Sequence, residues 1–157
     1  MLSLLDAISE TGFAIFFKEA TTIWGYPTLL VVHAYGMIIL VGLSVAIMLR
    51  TLGYASGMPL AGLRKYVPIM WLGLGLNALS GLILFSLDGR LFATMPVMWI
   101  KLSAIAVAVA CTRRLVAGLN KPATRAAAGK GLPYTGLLAW MVAVSAGRVT
   151  AYDAPIQ

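Results

Sequence analysis

Uncharged apolar stretches alternate along this chain with short clusters of lysine and arginine. Charge-free intervals run from Ala20 to Leu49, from Tyr66 to Leu87 and from Gly131 to Gly147, and a further stretch, Leu91 to Thr112, is broken only by Lys101. A helix rising about 1.5 Å per residue needs roughly 20 apolar residues to cross a hydrocarbon core of about 30 Å. Pro27, Pro68, Pro96 and Pro133 fall near the beginnings of the stretches, where a missing backbone N–H leaves no helical hydrogen bond unmade. The pattern predicts four transmembrane helices, at about residues 24–50, 66–87, 96–118 and 133–150. Ahead of them, Leu2, Leu4, Leu5, Ile8, Phe13, Phe16 and Phe17 are interleaved with Asp6, Ser9 and Glu10. That mixture suits a short helix lying in the membrane interface, within residues 2–19. Gly53 to Gly57 and Ala126 to Gly131 are loop-like in composition. The expected fold class is all-α, an integral membrane four-helix bundle forming one domain over residues 1–157.

Composition places the chain among membrane proteins. Of its 157 residues 61% are hydrophobic and 11% charged, with a mean hydropathy of +0.91, outside the range of soluble globular domains. The net charge of +7 does not mark a nucleic-acid surface, because the basic residues lie between apolar runs and not along one solvated face. It reports topology. Arg50, Arg64 and Lys65 fall between the first two stretches, and Arg113, Arg114, Lys121, Arg125 and Lys130 between the last two. The other connections carry mixed charge, with Asp6, Glu10, Lys18 and Glu19 at the N-terminus, Asp88 and Arg90 in the middle and Arg148 and Asp153 at the end. Lysine and arginine accumulate on the cytoplasmic side, so both termini are expected to be periplasmic. Trp24, Tyr26, Trp99, Tyr134 and Tyr152 stand near the expected helix ends, as an aromatic belt requires. The segment before Lys18 holds Asp6 and Glu10 but no basic residue, so it is expected to be retained and not cleaved as a secretory signal. Cys111 is the only cysteine, which excludes a disulfide framework within one chain.

The candidate chemistry begins at His33, the only histidine, inside the first uncharged stretch. An ionisable side chain at that depth faces a partner, a cofactor or a water-filled cavity, since hydrocarbon solvates it poorly. Gly36 and Met37 follow on the same stripe at i+3 and i+4, adding a gap that admits a flat group and a polarisable thioether. A histidine nitrogen beside such a gap suits a haem, with His33 as axial ligand to the metal. The alternative is an imidazole simply hydrogen-bonded to a neighbouring helix. Lys101 enters from the outer side on the third helix and Arg148 closes the fourth on that side, so both are candidates to hold the haem propionates; for Lys101 the alternative is a stem that snorkels to the interface. A single histidine does not supply two axial ligands within a monomer, which leaves Met37, Met98, Lys101, another subunit or nothing in the sixth position. On the second helix Gly73, Asn77, Ser80, Gly81 and Asp88 share a broad face, expected to turn inward for close packing and interhelical hydrogen bonds.

The run Pro27 to Gly53, followed by Pro68, Gly73, Gly81, Phe85, Lys101 and the closing Gly147-Arg148-Val149-Thr150-Ala151-Tyr152, resembles a family of small four-helix proteins of the bacterial inner membrane. The resemblance covers about residues 20–152 and implies a multi-pass inner-membrane location without supplying an activity. More distantly, the first-helix histidine and third-helix lysine are similar to those of HemJ-type protoporphyrinogen oxidases and of CopD-type copper-resistance membrane domains. The HemJ likeness implies haem b on His33 and a lysine at position 101 that matters for activity, although that type's further histidines are absent here. The CopD likeness implies copper movement, but no histidine and methionine cluster of copper spacing accompanies it. The leading expectation is a haem b protein of the electron-transfer or oxidoreductase type. The alternatives are a non-enzymatic subunit or assembly factor, packing as a homo-oligomer or in a larger membrane complex, and a small transporter of metal ions or solutes. Nucleotide loops, nucleophile elbows and zinc-binding His-Glu motifs are absent.

Overall fold

The computed structural model of the chain describes residues 9–19, 24–54, 56–57, 59–119 and 129–153. The interfacial-helix expectation for residues 2–8, and Lys121, Arg125 and Ala126 in the last connection, lie outside the described residues. The described chain is all-helical. In order come α1 (Gly12–Glu19), α2 (Tyr26–Thr51), α3 (Leu60–Leu63) with a 3-10 turn at Arg64–Tyr66, α4 (Val67–Leu87), α5 (Gly89–Thr94), α6 (Pro96–Gly118) and α7 (Gly131–Asp153). Pro27, Pro68 and Pro96 sit in the first turns of α2, α4 and α6. The connection between α4 and α6, expected as a plain loop, folds into the short helix α5, with Trp99 Nε1 donating to Ala93 O at 3.0 Å across the Met95 junction.

The long helices form two hairpins, α2 with α4 and α6 with α7, and α2 is the element that touches all the others. The α2–α4 pair closes around glycines. A Cβ on Gly36 would lie 2.7 Å from Asn77 N and 3.0 Å from Gly73 O, and one on Gly73 would lie 3.1 Å from Gly36 O. The backbones meet there with no side chain between them, the approach that small residues permit. In the α6–α7 pair the equivalent position is Gly136, where a Cβ would overlap the buried Met48 Cε and lie 3.1 Å from Cys111 Cβ.

The main core occupies one end of the assembly. It joins Leu40, Ile47 and Met48 of α2, Met70 of α4, Ala108, Cys111 and Leu115 of α6, and Ala139, Trp140 and Ala143 of α7. A smaller cluster at the other end joins Leu29 and Leu87 with Phe17 of α1 packed against them. The buried hydroxyls of Ser44, Thr112 and Thr150 each donate to the carbonyl four residues earlier, at 2.7–2.8 Å. Such back-bonds satisfy a polar group where no water is available. Trp140 Nε1 is the one buried side-chain donor among the described residues that has no partner.

The outside of the assembly is apolar. Leu82 and Met141, both mid-helix, are 68% exposed, and Ile38, Leu72, Leu79 and Leu138 are nearly as open. Among the described residues two helices are long and apolar enough to cross a membrane, Tyr26–Thr51 at a mean hydropathy of 2.3 and Arg64–Leu87 at 1.8.

Candidate functional site

His33 stands about two turns into α2, at the end of the assembly away from the main core, and its ring is half-buried. Its neighbours come from the inward face of α4. Ser80 Oγ lies 3.0 Å from His33 Nδ1, and Asn77 Nδ2 donates to the His33 carbonyl at 3.0 Å. Gly81 completes the seat, since a Cβ there would lie 3.1 Å from His33 Cε1. Residues 77, 80 and 81 are separated by three and four positions, so one helical face carries the amide, the hydroxyl and the gap together. The imidazole is therefore hydrogen-bonded to a neighbouring helix, as the simpler expectation for it had it, with Ser80 at Nδ1.

Asn77 Nδ2 is 3.5 Å from Nδ1 and 3.4 Å from Nε2 of the ring. The in-plane bonding directions of the two nitrogens diverge, so an atom almost equidistant from both at this range lies over the ring face. Asn77 steadies the ring without occupying the in-plane direction of either nitrogen, and no other hydrogen bond to Nε2 is present among the described residues.

Lys101, from α6, is half-buried and close enough to His33 to act on it electrostatically. Among the described residues it makes no ion pair and no hydrogen bond. Gly147 of α7 leaves room for its stem, with a Cβ at that position 3.5 Å from Lys101 Cε and 3.7 Å from Nζ. A histidine on α2 and a lysine on α6 thus come within electrostatic range of each other although 68 positions separate them in the sequence.

The remaining candidates are placed differently. Gly36 offers no gap to a flat group, because the α4 backbone fills the space beside it; its missing side chain serves helix contact. Met37 is half-buried and Met98 buried, and neither is hydrogen-bonded to His33. Arg148 is exposed, with its guanidinium 5.5 Å from the centre of the Tyr152 ring on its own helix. Asp88 stands at the end of α4, next to Leu87. It acts electrostatically on Tyr26 and lines an open pocket of about 370 Å³ with Ser9, Gly89, Arg90, Leu91 and Thr94. The Gly73 and Gly81 face, expected to turn inward, packs within the chain against Ile39, Gly36 and His33. No group of three or more histidine, cysteine or acidic residues that would hold a free metal ion occurs among the described residues.

Sequence reasoning placed Asn77 and Ser80 on an inward face without naming His33 as what they meet. The signal was the shared face, and the pairing needed the helix register.

Comparison with known proteins gives no match. No family model, no curated protein and no solved structure is similar to this chain.

Chemically, the site presents an imidazole nitrogen and, within electrostatic range of it, an ammonium with no ion pair or hydrogen bond among the described residues. That pairing suits a flat, anionic group carrying a metal, with the ring nitrogen on the metal and the ammonium near a carboxylate.

Proposed function

We propose that the protein is a multi-pass protein of the bacterial inner membrane, a four-helix bundle of α2, α4, α6 and α7 with both termini periplasmic, that binds haem b on His33. Membrane residence is supported by the apolar exterior and by how little the two most apolar helices are buried, 22% and 17% over an apolar 18-residue stretch of each. A buried core helix of a soluble protein is covered on most sides, whereas these helices present leucine to their surroundings. The lipid bilayer is then the immediate partner of the chain. Arg50, Arg64 and Lys65 at one end of the α2–α4 hairpin set that end in the cytoplasm.

The observation that carries the haem reading is that a half-buried imidazole lies within electrostatic range of a half-buried lysine that has no ion pair or hydrogen bond among the described residues. A charge left without a partner in such surroundings is costly, and a bound carboxylate offsets that cost. Lys101 is the residue to hold one haem propionate, and Arg148 reaches a second from the end of α7 only by leaving Tyr152. His33 supplies one axial position, and an electron-transfer or oxidoreductase role follows from the one-electron chemistry that haem iron supplies when bound.

The test is the absorption spectrum of protein purified in mild detergent from haem-replete cells. The expected result is a Soret band and a pyridine haemochrome of the b type in wild type, both lost in His33→Ala. A wild-type protein without pigment, or a His33→Ala protein with an unchanged band, removes the reading.

A further inference from the structure

The hydrogen bonds around Ser80 determine which nitrogen of His33 is available to a ligand. A serine hydroxyl has one proton to give. Three groups lie within hydrogen-bond distance of Ser80 Oγ, namely the acceptors Leu76 O at 2.6 Å and Asn77 O at 3.2 Å, and His33 Nδ1 at 3.0 Å. The 2.6 Å separation is that of a short O–H···O hydrogen bond, and without a proton between them two oxygens at that distance repel through their lone pairs. The proton therefore lies on the Leu76 side, the usual back-bond of a helical serine. Ser80 Oγ then meets Nδ1 with a lone pair, and Nδ1 must be the donor.

We infer that Ser80 is a positioning residue that holds His33 as the Nδ1–H tautomer and so makes Nε2 the ligand atom. The relay runs from the His33 N–H to the Ser80 oxygen, and from the Ser80 hydroxyl to the Leu76 carbonyl. Its far end is helix backbone, which neither titrates nor rotates. Asn77, over the ring face, restrains the ring without competing for Nε2. A lone pair fixed in this way suits a metal centre, because a ligand that is an anion needs an N–H and is offered none at Nε2. The use of that lone pair by haem iron rests on the reading given above; the tautomer does not.

Because His33 is the only histidine, [15N]histidine labelling gives a spectrum of this one ring. Long-range 15N–1H correlation of the pigment-free protein in detergent at neutral pH is expected to show a protonated Nδ1 and an unprotonated Nε2. In Ser80→Ala the population is expected to shift toward the Nε2–H form that free histidine prefers, with Ser80→Thr restoring the wild-type pattern. In the haem-loaded protein Ser80→Ala is expected to weaken haem retention about 10–100-fold, the usual loss for an outer hydrogen-bond partner, and to shift the iron–histidine stretching band.

A wild-type ring protonated at Nε2 or at both nitrogens overturns the inference whether or not Ser80→Ala folds. So does a tautomer unchanged in a folded Ser80→Ala. An Nδ1–H ring in a protein that takes up no haem supports the Ser80 assignment while removing the haem reading, so the two fail separately.

Discussion

Gly36→Ala tests the α2–α4 contact on which the histidine seat depends. The added methyl group would lie 2.7 Å from Asn77 N, 3.0 Å from Gly73 O and 3.1 Å from Asn77 Cα, all of them backbone atoms. Ordinary heavy-atom contacts are about 3.5–4.0 Å, so the helices must separate by about 1 Å and no side-chain rotation relieves them. Overpacking of this kind costs about 1–3 kcal/mol. The same movement draws Asn77 from the His33 carbonyl, with which it bonds at 3.0 Å, and a typical hydrogen bond contributes about 0.5–1.5 kcal/mol. Replacing glycine by alanine within a helix returns about 1 kcal/mol. The net expectation is a loss of about 0.5–3.5 kcal/mol. Gly42 on the same helix is the control, since it is exposed with nothing within 4 Å of a Cβ. Gly42→Ala is expected to be neutral or to stabilise by up to about 1 kcal/mol. Equilibrium unfolding in mixed micelles with increasing dodecyl sulfate, followed by circular dichroism, measures both. A Gly36→Ala protein as stable as Gly42→Ala would refute the close backbone contact and, with it, the register that brings Ser80 to His33.

Other substitutions separate the site from the scaffold. Gly81→Ala puts a methyl group 3.1 Å from His33 Cε1, an atom of a side chain that can swing away, so the protein is expected to unfold at nearly the wild-type midpoint while losing its Soret absorbance; a retained band shows that the ring needs no glycine. Lys101→Met removes a half-buried charge that has no partner among the described residues and is expected to stabilise the pigment-free protein by roughly 0.5–1 kcal/mol while weakening haem retention, as read by apomyoglobin transfer. A loss of stability instead would mean that the lysine holds the helices together. For topology, single cysteines placed in a Cys111→Ala background at Arg90 and at Ser56 are expected to differ in intact spheroplasts, with Arg90→Cys labelled by an impermeant maleimide and Ser56→Cys labelled only after lysis. The opposite pattern inverts the proposed orientation.

The all-helical fold was legible in the chain for a local reason. Apolar length and the proline that opens each of α2, α4 and α6 act on the residues around them, with little dependence on what lies across the assembly. His33 was conspicuous on equally local grounds, as one imidazole in an uncharged stretch. The 3.6-residue period also placed Gly73, Asn77, Ser80 and Gly81 on one face. What that face meets is a matter of register between helices, and register depends on which backbones can approach. Gly36 shows the difference: in sequence a missing side chain looks the same whether a ligand or another helix fills the space, and only packing assigned it to the α4 backbone. Packing likewise brought Lys101 within electrostatic range of His33, while Arg148 lies over the Tyr152 ring and Asp88 acts on Tyr26. Ser80 as the partner of Nδ1 belongs wholly to the tertiary structure, since a hydrogen bond is decided over a few tenths of an ångström and no sequence spacing carries that information across 47 positions.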